Sequence, residues 1–204
     1  MSRREEVVDA AERILEAEGS DAVTMRRLAA ALDVRAPSLY KHVRGKPEIL
    51  AALQERALGR IAAALGDAAD RAPTGEELPA MAGAYRAWAR AHPRLYELST
   101  RHPLDRGRLS PGVEEAAAAP LLRVTGGRLP AARALWGLAH GLVDLELAGR
   151  FPPGADVDAA WTYAIGALGD AGAQALHDAG AKAPDDAGAK APDAKALRTA
   201  SGSA

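Results

Sequence analysis

Alanine dominates the apolar share of this chain, with few branched or aromatic residues beside it, and that balance constrains the fold more than any other feature. Alanine loses no side-chain entropy in a helix, whereas strands select β-branched and aromatic side chains. Apolar residues make up 48 % of the 204 residues and aromatics only 4 %, so a core can be buried and helices must bury it. No stretch alternates polar and apolar residues for long enough to read as a strand. The expectation is an all-α chain of about nine helices.

Helical spacing marks the elements. Residues 3–18 put Val7, Val8, Ala11, Ile14 and Leu15 on one face, with Ser2 and Glu5 as a capping box and Gly19 as the stop. Thr24 caps a second helix to Leu32. After a turn at Asp33–Val34, Pro37 opens a third helix reaching Val43, and Gly45 breaks the chain. A fourth helix, over 46–67, carries Ile49, Leu50, Leu53, Leu58, Ile61 and Leu65. Beyond a loop at Pro73–Gly75, the spacing predicts helices over 76–91, 112–125, 130–149 and 156–171. A short segment at Leu95–Leu98 lies among them, and Pro120 is expected to interrupt or kink its helix. The stretch 130–149 is apolar on nearly every side, which calls for burial, most easily against a second subunit. Near the end, DAGAKAPD occurs twice, at 178–185 and 186–193. Two copies so rich in Ala, Gly, Pro and charge cannot build a packed repeat. The chain thus divides into three regions: 1–46, 47–171, and a disordered tail over 172–204.

Several classes of chemistry find no support. Cysteine is absent, which removes disulfides, thiolate metal sites and cysteine nucleophiles. No apolar run approaches bilayer length and none succeeds the N-terminal arginine pair, so a soluble, cytoplasmic protein is expected, without a membrane partner. His42, His92, His102, His140 and His177 are scattered, so neither a metal nor any other cofactor is expected. There is no glycine-rich phosphate loop after a strand and no nucleophile elbow. Asp144 and Glu146, two apart, point to different sides of a helix. An enzyme is not expected.

Charge is informative where it is uneven. The chain carries a net charge of −1, yet residues 24–46 hold Arg26, Arg27, Arg35, Lys41, Arg44 and Lys46 against Asp33 alone, a local +5. A basic patch of this kind suits a phosphate surface. It coincides with two short helices joined by a tight turn, the pattern of a helix-turn-helix whose second helix enters the major groove. Leu28, Leu32, Val34 and Leu39 would pack that unit onto residues 3–18, leaving Arg35, Pro37, Ser38, Tyr40, Lys41 and His42 exposed. Lys46 opens a helix where a cation opposes the helix dipole, which makes sense if a phosphate sits there. The alternative is that Tyr40 and His42 are packing residues on an ordinary basic surface.

The stretch DVRAPSLYKHVRGKPEILAAL resembles the recognition helix and adjoining helix of the TetR/AcrR family of repressors, with LYxHV, Lys46 and Leu50 at the family's positions. The resemblance implies phosphate contacts at Tyr40, His42 and Lys46. It implies base-reading or base-bordering roles for Arg27, Arg35, Ala36, Pro37, Ser38 and Lys41, with Thr24 counted among the DNA-facing residues. Trp136-Gly137-Leu138-Ala139-His140-Gly141 further resembles the Trp-His-Gly signature of one subgroup's C-terminal domain. That likeness implies a helical domain that binds a small-molecule effector and dimerises through its last two helices. Leu138, Leu142, Leu145, Trp161, Ile165 and Leu168 would supply the buried area, with Gly137, Ala139 and Gly141 allowing close approach. Tyr85, Trp88, Tyr96, Trp136 and His140 would line an effector pocket between the helices over 46–67, 76–91, 112–125 and 130–149. The function implied is a homodimeric repressor of a palindromic operator on double-stranded DNA, released by that effector. The rival within DNA binding is another kind of helix-turn-helix protein, an activator or a nucleoid-associated protein.

Overall fold

Ser2 starts the first helix as its residues demand: its hydroxyl accepts from the Glu5 amide at 3.2 Å, and the Glu5 carboxylate accepts from the Ser2 amide at 2.5 Å. The helix so capped, α1 (Arg3–Glu18), ends at Gly19. In the computed structural model, which describes the backbone of residues 2–181 and the side chains of residues 2–169, a 3-10 turn at Ser20–Ala22 leads into α2 (Met25–Ala31) and α3 (Ala36–Leu39). Then come α4 (Lys46–Arg71), α5 (Glu77–Ala91), α6 (Pro93–Arg101), α7 (Val113–Val124), α8 (Leu129–Leu147) and α9 (Val157–Ala181). Nine α-helices and no strand occur among the described residues, the all-α architecture expected from the alanine-rich pattern.

Five features differ from the sequence expectation, the first being α4, which runs to Arg71 instead of ending at 67. The segment at Leu95–Leu98 is a full helix, α6, because Pro93 pre-sets a first turn immediately after α5. Helix α7 runs through Pro120 without interruption. The carbonyl that Pro120 leaves without a donor belongs to Ala116, which is exposed, so water can satisfy it. Helix α3 is shorter than expected and ends at Leu39, after which the Lys41 and His42 amides bond three residues back, in the tighter 3-10 pattern. Helix α9 continues to Ala181, ten residues past its expected end, through good helix formers such as Ala175 and Leu176. The rest of the expected tail, with most of the octapeptide pair, lies outside the described residues. Helices α1 to α8, with the turn between α2 and α3, and both buried cores belong to one compact unit, Met1–Gly172.

Two buried clusters hold that unit together. The first joins Val7, Ala11, Ile14 and Leu15 of α1 to Leu28, Leu39, Val43, the N-terminal half of α4 (Ile49, Leu53, Ala57) and α6 (Leu95, Leu98). The second joins Leu65, Met81, Tyr85, Tyr96, Val143, Trp161 and Ile165. Helix α4 thus spans both, and Trp88 packs against both.

Charged pairs lock α1 to α4. The Glu12 carboxylate accepts from Arg56 at 2.6 Å and from Arg60, and Arg56 also reaches Asp9 at 2.7 Å. Burial pushes the Glu12 carboxyl up, but the Arg60 and Arg56 guanidiniums outweigh it and hold it below the ordinary carboxylate range. A folded-state pKa below the unfolded value stabilises the fold fully at neutral pH, and that contribution is lost as pH falls through the folded value. Urea unfolding of the wild type and Glu12→Gln is therefore expected to differ at pH 7 and to converge from about pH 5 downward. A pH-independent difference would remove this role from Glu12.

Candidate functional site

The turn between α2 and α3 is built by its backbone. The Val34 amide reaches back to the Ala29 carbonyl at 2.9 Å and the Asp33 amide to the Ala30 carbonyl at 3.3 Å, a Schellman closure with Asp33 in the left-handed region at φ 51°. Asp is among the few non-glycine residues that enter this region readily. Leu28, Leu39 and Val43 are buried beneath the turn, while Leu32, Val34 and Ala36 are half-buried against the same cluster. Gly45, at φ 132°, turns the chain into α4 through a conformation that a side chain would strain.

The outer surface is what this packing leaves. Arg35, Pro37, Tyr40, Lys41 and His42 are exposed, Tyr40 at 57 %, and Ser38 is half-buried. Thr24 caps α2, its hydroxyl accepting from the Arg27 amide at 3.2 Å. Two of the expected contact cations already have partners: Arg27 is paired with Glu18, and the Lys46 ammonium donates to the Ser20 carbonyl at 2.7 Å. Arg26, Arg35, Lys41 and Arg44 are exposed and carry no carboxylate partner among the described residues. Elsewhere, by contrast, arginines such as Arg56, Arg60, Arg86, Arg101 and Arg106 are engaged with carboxylates. Arg26 and Arg44 belong to the basic cluster but not to the contact set expected from sequence; their exposure comes from the packing of α2 and of the turn before α4.

A second site lies in the helices beyond. A cavity of about 430 Å³ opens among α4, α5, α7 and α8, walled by Ile61, Leu65, Met81, Leu121 and Leu135 and reached by Tyr85 and Trp136. Trp88, Tyr96 and His140, expected in its lining, are not there. Tyr96 is buried, its hydroxyl sharing a hydrogen bond of 2.5 Å with His140 Nδ1, and Trp88 is spent joining the two cores. Burial also holds the Tyr96 hydroxyl well above its ordinary pKa, so it stays protonated at neutral pH. The helices around the cavity are those over 46–67, 76–91, 112–125 and 130–149 between which a pocket is expected, but the individual lining residues of α4 and α7 carry no signal of their own, because their inward faces read as ordinary core spacing.

The expected dimer residues divide in the same way. Trp161 and Ile165 are buried within their own chain's core, so they do not offer a free face. Leu138 and Leu142 pack against that core and Leu168 is half-buried, while Leu145 is 45 % exposed. Among the described residues, the large apolar side chains left exposed on α8 and α9 are Leu129, Trp136, Leu145, Leu147 and Tyr163, the last at 80 %. Gly137 and Gly141 have nothing within 4 Å of a notional Cβ, so that side of α8 is open to close approach.

Residues 7–53 match the model of the bacterial regulatory proteins of the tetR family, and residues 78–168 match a tetracyclin repressor-like C-terminal domain. An uncharacterized HTH-type transcriptional regulator of Mycobacterium tuberculosis is 34 % identical over 169 residues, covering 78 % of this chain and 76 % of that one. The chain belongs to the TetR family. A second relative, the HTH-type transcriptional repressor DrrR1 of Streptomyces coeruleorubidus, is 39 % identical over 48 % of this chain, spanning 36 % of its own length. Among solved structures, a Rhodococcus sp. RHA1 protein of unknown function superposes with a TM-score of 0.70 at 28 % identity, over 84 % of this chain and 95 % of that one. As a TetR-family member the chain is a DNA-binding transcriptional regulator and not an enzyme. Among the described residues no helix is long and apolar enough to cross a membrane.

Proposed function

We propose that this TetR-family regulator is a homodimeric repressor that occupies a palindromic operator and is released when a small molecule fills the cavity. The observation that carries the reading is the set of unpaired cations around α3, above a turn whose own packing is complete. In this reading Tyr40, His42 and Lys46 hold phosphates while Arg35, Ala36, Pro37, Ser38 and Lys41 face base edges. Arg27 joins them by exchanging Glu18 for DNA, and Thr24 fixes the helix that carries it.

A second copy would cover the apolar surface of α8 and α9, and two-fold symmetry would then present two recognition helices to successive major grooves. Release acts through α4. Its C-terminal half walls the cavity through Ile61 and Leu65, while its first residue, Lys46, adjoins the helix-turn-helix. A helix of 26 residues is about 39 Å long, so a small tilt at the cavity moves the DNA-binding end as a lever. Effector binding would bias the dimer toward a spacing that cannot engage both half-sites.

Selection of bound sequences from random duplex DNA tests the reading. Two inverted half-sites about one helical turn apart are expected. Sequence-blind binding, or a single unrepeated site, would overturn it.

A further inference from the structure

The cavity is uncharged within and positively charged at its mouth, and we infer from this that its ligand is an apolar molecule bearing one acidic group, an anionic amphiphile. The inference rests on the cavity being the effector site.

The interior offers one unpartnered polar atom, the buried Tyr85 hydroxyl, and otherwise little for a polar ligand. Its deep wall is aliphatic, and the hydroxyls of Ser99 and Thr100 both already donate to the Tyr96 carbonyl, at 2.9 and 2.8 Å. A ligand with polar groups along its length would leave them unpaired there, at the cost of their desolvation. The charged lining residues are Arg106, Glu114 and Arg133. Arg106 forks onto the two oxygens of Glu114, with contacts of 2.9 Å, so that pair is internally neutral. Arg133 has no carboxylate partner among the described residues, and it is exposed on the same face of α8 as Trp136, which is itself 51 % exposed. One cation is thus left over where the cavity opens to water. A carboxylate there gains a partner while its apolar body fills the interior. An amine of the same shape would meet Arg133 with like charge and could claim Glu114 only by breaking the Arg106 fork.

The test uses the full chain with decanoate, decanol and decylamine, which share an apolar body and differ in head group. Binding is read by displacement of an environment-sensitive fluorophore, and operator release by DNA anisotropy. Decanoate is expected to bind about two- to fivefold more tightly than decanol, with decylamine weaker than both. Arg133→Gln should reduce decanoate to the level of decanol, whereas Arg150→Gln, at an exposed arginine outside the cavity, should not. Equal binding of decanol and decanoate, a preference for the amine, no binding of any probe, or no effect of Arg133→Gln would each overturn the assignment. Selective decanoate binding that leaves the operator occupied supports the ligand class and refutes the effector role, so the two readings fail separately.

Discussion

Replacing Arg35 and Lys41 together by alanine is expected to lower operator affinity at least about 30-fold, since a well-placed cation at a base edge or phosphate contributes about 1–3 kcal/mol. Both side chains are exposed and neither has a carboxylate partner among the described residues, so nothing in the fold depends on their charge. Arg35 occupies the N-cap position of α3 without a side-chain capping bond, so its loss does not uncap that helix. The salt dependence should change as well. A cation that also neutralises a phosphate adds about 0.9 to the log–log slope of affinity against salt, so a slope flattened by that much shows that Arg35 or Lys41 reaches a phosphate as well as a base edge. Arg13→Ala, at an exposed arginine of α1 away from the turn, is the matched control. Anisotropy titrations over a range of salt, with circular dichroism to show an intact fold, give both readouts. Double-variant affinity within about twofold of wild type would detach the basic cluster from DNA.

Tyr96→Ala should destabilise the regulator by about 3–5 kcal/mol, the range for removing a large buried aromatic. Tyr96 is 1 % exposed, its ring meets Tyr85 edge-on at 6.0 Å, and its hydroxyl bonds His140 across the α6–α8 contact. Helix α6 is also held at its N-terminal end, where the Glu16 carboxylate of α1 accepts from the Leu95 and Arg94 amides at 3.1 and 3.3 Å. The Gln54 amide of α4 donates to the Leu98 carbonyl at 3.1 Å and the Pro103 carbonyl at 3.3 Å. The ring of Tyr96 therefore sits in a strut between the DNA-binding helices and α8. Thermal unfolding should fall by about 6–20 °C for a chain of this size. Tyr96→Phe keeps the packing and loses only the hydroxyl, so about 1–3 kcal/mol is expected. Equal losses from the two variants would mean that the hydrogen bond, and not the ring, holds the contact.

The DNA-binding unit was legible in the sequence because its signals are local. The Ser2 capping box, the Thr24 cap, Pro37 in a first turn and Gly45 before Lys46 each act within a few residues, and each appears where expected. The effector-side residues were less legible. Trp88, Tyr96 and His140 have the spacing and chemistry of lining residues, yet all three are consumed by partners distant in the chain. Trp161 and Ile165 likewise look like interface residues and are spent on their own core.

The alanine-rich, helix-period residues alone determined which segments coil, where most of them start and stop, and that a basic cluster rides on a helix-turn-helix. Only the tertiary structure decided which cations are free. Arg27 finds Glu18, Lys46 finds the Ser20 carbonyl and Arg106 finds Glu114, while Arg35, Lys41 and Arg133 find no carboxylate among the described residues. Periodicity states that a face is apolar or charged, because that is a property of one helix. What covers the face depends on which helices pack together, and ion pairing falls off within a few ångströms, so partners are settled by three-dimensional distance and not by sequence.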